Sequence, residues 1–170
     1  LKWMNGKYLS QQSNDQLISV VNHKLSENDR NKIDEDRKSF TLLIELVKTR
    51  AQTINELTEN IDFFFNDPDT YEQKGIDKYF KGEESKNLLD KLCSSLSSIE
   101  DYSSENMEIV IRKLAESMDV KAGTLIHPLR LALTGRTTSP GIFDVLQILG
   151  KDIVLERIKN ALKFIQQQIP

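Results

Sequence analysis

The sequence predicts an all-α protein of two packed helical subdomains, and three observations predict it. Apolar residues recur with a period near 3.6 residues. Four prolines and seven glycines in 170 residues are few, and no strand-like alternation persists. The polar stretch "EDYSSEN" (100–106) is the best linker, dividing the chain into a first subdomain over 1–100 and a second over 101–170.

The first subdomain opens on "LKWMNGKYL", where Trp3 and Tyr8 read as packing or interdomain contacts. In "SNDQLISVVNHKL", Ser13 and Gln16 have the spacing of a capping box before an amphipathic helix. "SENDRNKIDEDRK" (26–38) is charged and lacks an apolar stripe, so it reads as a solvated loop or a helix entry. "FTLLIELVKTRAQTINELTENIDFFF" (40–65) places Leu43, Leu46, Val47, Ile54, Leu57 and Ile61 at helical spacing. That describes one long helix or two, with Thr53 and Glu56 as a second capping-box candidate. A helix buries two of the three phenylalanines Phe63–Phe65 on one side, so the third is expected against another subdomain. Pro68 in "NDPD" breaks the helix, because it pushes Asp67 out of helical backbone geometry. "YEQKGIDKYF" and "ESKNLLDKLCSSLSSIE" supply two more helices. Cys93, at helical spacing from leucines, reads as small apolar packing.

In the second subdomain Ser104 is an N-cap candidate for "ENMEIVIRKLAESM". "GTLIHPLRLAL", "PGIFDVLQIL" and "KDIVLERIKNALKFIQQQI" follow as helices. Gly135 is placed to end the first of these in a left-handed conformation, and Gly150 to end the second. Ser139 as N-cap with Pro140 at the first helical position reads as a helix start.

Composition narrows the function classes. The net charge of −3 argues against a protein that coats nucleic acid along its whole surface. The charge is uneven: residues 1–100 carry 14 basic and 18 acidic side chains, residues 121–170 seven and three. No run of about 18 apolar residues exists, so no membrane span is expected. The start lacks the charged and apolar regions of a signal peptide and lacks an initiator Met, and reads as that of an excised fragment. One cysteine makes no internal disulfide, which favours a cytoplasmic setting. His23 and His127 have no metal-ligand spacing to Cys93 or to each other, and His23 reads as solvent-facing. No glycine-rich phosphate loop, GxSxG or HExxH is present. "NDPDTYEQ" lacks the glycine and closing glutamate of a calcium loop. No catalytic residue, metal site or cofactor is expected in this chain.

"LTGRTTSPG" (133–141) is the chemically loaded stretch. Arg130 lies one helical turn before Thr134, and Arg136 lies within the turn. Two cations, several hydroxyls and a helix N-terminus converge there. That collection suits a phosphate, or the hydrogen-bonding edge of an unstacked base. It equally describes a helix hairpin whose arginines pair with acidic neighbours. Phe143 is placed either to stack on a base or to join the core.

These residues carry a resemblance. "HPLRLALTGRTTSPGIFDVLQILGKDIVLERI" (127–158) closely resembles the last segment of bacterial glutamyl-tRNA synthetases, and "LKWMNGKYL" resembles their Trp-x-Asn-x-x-Tyr segment. "TRAQTINEL" and "DFFFNDPDTYEQKGIDKYF" match intermediate segments more loosely. The resemblance implies the C-terminal half of such an enzyme, two helical subdomains forming an anticodon-binding helical cage. It implies that the catalytic domain, with its HIGH-type and KMSKS-type motifs and its ATP and Mg, is absent, so that this fragment alone should not activate glutamate. The implied partner is the glutamate tRNA, or the glutamine tRNA as well, bound by a monomer with no role for DNA or membrane. By alignment Arg130, Ser139, Pro140 and Ile142 match positions that contact the first anticodon base. Thr134 and Arg136 belong to the same turn, Arg136 at a position that varies among relatives. Arg50, in "TRAQTINEL", is the candidate for the third anticodon base.

Two other readings compete. The acidic residues 1–100 suit a helical protein-interaction module without RNA binding. A helix-turn-helix over 140–166 is disfavoured, because the final helix carries the apolar stripe Ile153, Val154, Ile158, Leu162 and Ile165 rather than base readers near its start.

Overall fold

The structure, a computed structural model, describes residues 2–168, with side chains from Gly6 onward. The described residues form eleven α-helices and no strand. They fall into two compact units, Leu1–Asn66 and Asp67–Pro170. The division lies well before the linker expected near residue 100. That linker joins two helices packed on each other within the second unit.

Unit 1 contains α1 (Lys2–Gln11), α2 (Asn14–Asn22), α3 (Glu27–Glu35), α4 (Arg37–Lys48) and α5 (Ile54–Phe65). Helix α4 packs against the other four, and its Phe40, Leu43, Ile44 and Val47 are buried. They meet Leu17, Ile18 and Val21 of α2, Ile33 of α3, and Leu57 and Ile61 of α5 in the core of this unit. The Ser13 capping box forms: the Gln16 N–H donates to Ser13 Oγ at 3.2 Å, and the Ser13 N–H to Gln16 Oε1 at 3.0 Å. At Thr53 only half of the box forms. The Glu56 N–H donates to Thr53 Oγ1, but the Glu56 carboxylate reaches back to the Gln52 N–H.

Two expectations change in unit 1. Residues 27–35 form a helix although the sequence shows no apolar stripe, because a Ser26 cap and the single buried Ile33 suffice to anchor nine residues. Of the three phenylalanines, Phe63 and Phe65 are buried and Phe64 is half-buried. Phe64 and Phe65 both pack on Phe40, with ring centroids 5.3 and 5.6 Å away. Tyr8 is 64% exposed and does not pack, while the Trp3 side chain lies outside those described.

Unit 2 contains α6 (Gln73–Tyr79), α7 (Gly82–Ser97), α8 (Ser104–Ser117), α9 (Ala122–Thr134), α10 (Ile142–Leu149) and α11 (Lys151–Gln168). Helix α11 lies along α7 and α9, and α8 bridges α7, α9 and α10. Leu129, Leu131, Ala132 and Leu133 are all buried, so the C-terminal half of α9 is enclosed except at half-buried Arg130. Cys93 is half-buried, and burial pushes its thiol up from the ordinary value, as expected of a packing residue. The N-cap of α8 is Ser103 rather than Ser104, whose N–H donates to Gln147 Oε1. Gly150 ends α10 with positive φ as expected, but at ψ 164° it is extended rather than left-handed helical. Among the described residues no helix is long and apolar enough to cross a membrane.

Candidate nucleic-acid interface

The turn between α9 and α10 is built from its own side chains. Gly135 adopts φ 71°, ψ −2° and donates its N–H to the Leu131 carbonyl at 2.9 Å, the left-handed cap expected of it. Thr134 Oγ1 donates to the Arg130 carbonyl at 2.8 Å and accepts from the Arg136 N–H at 3.2 Å. Its hydroxyl is spent on the turn. Ser139 Oγ accepts from Arg130 Nε at 3.0 Å and donates to the Pro140 carbonyl at 2.8 Å. This link spans the turn and fixes the plane of the Arg130 guanidinium.

Ser139 is therefore not the N-cap of α10. Gly141 takes that position, and no side chain caps it. The Ser139 hydroxyl is already engaged, and the helix begins at Ile142 instead of Pro140. A Cβ placed on Gly141 would lie 2.7 Å from Asp144 Oδ2, so the Asp144 carboxylate folds over the helix start. A negative group there complements the helix dipole. It repels a phosphate. The charge arrangement favours a base edge over a phosphate at this helix start.

A second layer braces the turn. The Glu72 N–H donates to the Gly135 carbonyl at 2.8 Å. Glu72 Oε2 accepts from both the N–H and the Oγ1 of Thr137, at 2.9 and 2.6 Å, and lies 3.3 Å from Lys74 Nζ. Buried Arg157 donates Nη1 to the Leu133 carbonyl and Nε to Asp67 Oδ1, both at 2.7 Å. Two of the carboxylates of "NDPDTYEQ", Asp67 and Glu72, thus serve as struts. Among the described residues no group of three or more His, Cys, Asp or Glu gathers as a metal site.

The Thr137 hydroxyl bond is the main cause holding the Glu72 carboxyl below its ordinary value. A depressed folded-state value stabilises the fold above the unfolded value and loses that contribution as pH falls through the folded one. Glu72→Gln should therefore remove stability at neutral pH and little at strongly acid pH. Urea midpoints of the two proteins should converge as pH drops below the ordinary glutamate range. Parallel curves would mean that the brace is not ionic.

The site residues named from the sequence are placed as follows. Arg130, Arg136 and Ser139 are half-buried in unit 2. Thr134, at 8% exposure, and Pro140 are buried. Ile142, at 3% exposure, sits in the core, so only its backbone can face a ligand there. Arg50 belongs to unit 1, exposed in the turn after α4, where it lines an open depression with Lys7, Ser10 and Thr49. Phe143 is half-buried. His23 is exposed at the C-terminus of α2, as expected. Glu72, Thr137 and Arg157 were not singled out. Their partners lie 24 to 90 residues away, and no local spacing signals such a pairing.

With this geometry in view, the comparisons with known proteins are specific. The family model described as "Anticodon binding domain" matches residues 8–162. The chain is 34% identical, over 98% of its length, to glutamate–tRNA ligase 2 of Thermoanaerobacter pseudethanolicus, and covers 35% of that protein. It is 33% identical, over 97% of its length, to glutamate–tRNA ligase 1 of Syntrophomonas wolfei, covering 33%. A crystal structure of a glutamate tRNA ligase from Elizabethkingia meningosepticum, in complex with its amino acid, matches 96% of the chain at a TM-score of 0.81 and 26% identity; 32% of that chain is covered. The chain thus spans about a third of the length of these relatives.

Proposed function

We propose, on the premise that this chain belongs to the anticodon binding domain family, that it reads unstacked anticodon bases of a tRNA on behalf of a glutamate–tRNA ligase. The observation that carries the reading is the Arg130–Ser139 link across the turn that leads into α10. Sequence-specific RNA recognition targets single-stranded loops, whose splayed bases are hydrogen-bonded on their edges. A guanidinium held in one plane suits that task, because little side-chain freedom remains to be lost.

In this reading Arg130 and Ser139 face the first anticodon base. Pro140 and the backbone at Ile142 shape the turn, Thr134 holds it closed, and Arg136 lies at its rim. Arg50 faces the third base. The partner is the glutamate tRNA, in the cytoplasm. Attachment of glutamate, with ATP and Mg, belongs to the two thirds of such ligases that this chain does not match.

Arg130→Ala in the full-length enzyme should raise the KM for the glutamate tRNA about tenfold, as loss of a base contact worth ~1–3 kcal/mol requires. The KM for glutamate should stay put. Unchanged tRNA affinity and charging would remove the assignment.

A further inference from the structure

A second feature of unit 2 lies outside the turn. An open groove of about 540 Å³ runs between the end of α6, the start of α7 and the start of α9. Lys78, Lys81 and Lys121 line it, against the single carboxylate of Glu84. The start of α9 adds to this charge, since its first turn holds no acidic residue and no side chain caps it. Within the groove Tyr79 and His127 stack, with centroids 5.1 Å apart and planes 14° from parallel, and Lys78 Nζ lies 5.3 Å from the Tyr79 centroid. Tyr79 covers one face of the His127 ring, and the residue is otherwise open to solvent.

The groove and the reading turn share one helix. His127 and Arg130 are three residues apart on α9, and so occupy the same face. Burial first, then the charges of Arg130 and Lys78, hold the His127 imidazole below its ordinary value. At neutral pH the ring is uncharged and offers an aromatic face, while the lysines supply the cations.

The geometry points to this groove as a grip on the RNA strand that continues from the anticodon: the lysines hold backbone phosphates, and His127, backed by Tyr79, stacks one further unpaired base. This rests on the anticodon reading above. Phosphate contacts fix register and make affinity salt-dependent, whereas stacking adds affinity with little sequence preference. The groove would therefore set how tightly the loop is held, and Arg130 which loop is held.

The test uses the full-length protein with two transcripts, the glutamate tRNA and the same tRNA with its first anticodon base replaced. Affinity is measured across a salt series. The triple variant Lys78→Gln, Lys81→Gln, Lys121→Gln should bind both transcripts about tenfold more weakly at low salt. Its salt dependence should be shallower by roughly two, for two or three lost phosphate contacts. The ratio between transcripts should be kept. His127→Ala should weaken both about tenfold without changing the salt slope. If the triple variant keeps wild-type affinity and slope while Arg130→Ala loses the ratio, the groove inference falls and the anticodon reading stands. Collapse of the ratio in the lysine variant would overturn a backbone role. Failure of the wild type to bind either transcript would remove both readings.

Discussion

Replacing Gly135 by alanine is expected to lower the stability of the protein by ~2–4 kcal/mol, from left-handed strain together with steric overlap. The backbone at Gly135 has φ +71°, which L side chains rarely adopt. A Cβ there would also lie 2.7 Å from the Thr70 carbonyl oxygen and 3.2 Å from Pro68 Cβ. The first of these is backbone and cannot swing aside. Gly82→Ala is the control, since it has φ +61° with nothing within 4 Å of the added carbon. That change should cost only the conformational part, about 1 kcal/mol. Urea unfolding of both variants separates the two terms. Equal losses would show that close packing against residues 68–70 does not limit the turn.

The second large effect is expected at Arg157. Arg157→Met keeps most of the volume and should cost ~2–4 kcal/mol, because it strands a buried acceptor. Arg157 is 2% exposed and donates to the carbonyl of Leu133, itself fully buried, in the last turn of α9. Helix ends leave such carbonyls without intrahelical partners. A second partner, Asp67, is 55% exposed and can be hydrated by itself. Asp67→Asn should accordingly cost far less than Arg157→Met. Denaturation midpoints that rank the two the other way would assign the energy to the ion pair and not to the helix end.

These positions separate what was legible from what was not. Helices announced themselves through period and caps, as at Ser13, Gln16 and Gly135, because those signals are local. The α3 helix was obscured because one buried residue, Ile33, anchors it, and one residue has no period. The unit division was misplaced because a polar linker marks a solvent-exposed connection, not an absence of packing across it. Helix α7 belongs with α11, a partner more than fifty residues away. In "LTGRTTSPG" the residue types were visible but their allocation was not. The Thr134 and Thr137 hydroxyls are consumed internally, while Ser139 is shared with Arg130. The carboxylate that consumes Thr137 is 65 residues earlier in the chain. The Ile142 side chain is core, since the first residue of a helix can point inward as readily as out.

The brace under the turn also has a direction in time. Residues 67–75 leave the ribosome before the turn they support, and Arg157 leaves after it. Chains are made at about 5–20 residues per second, so the turn, with Glu72 already available, waits on the order of a second for Arg157. An isolated α9–α10 hairpin would have the sequence of the turn without its shape. The proposed reading site would take its shape only when α11 docks.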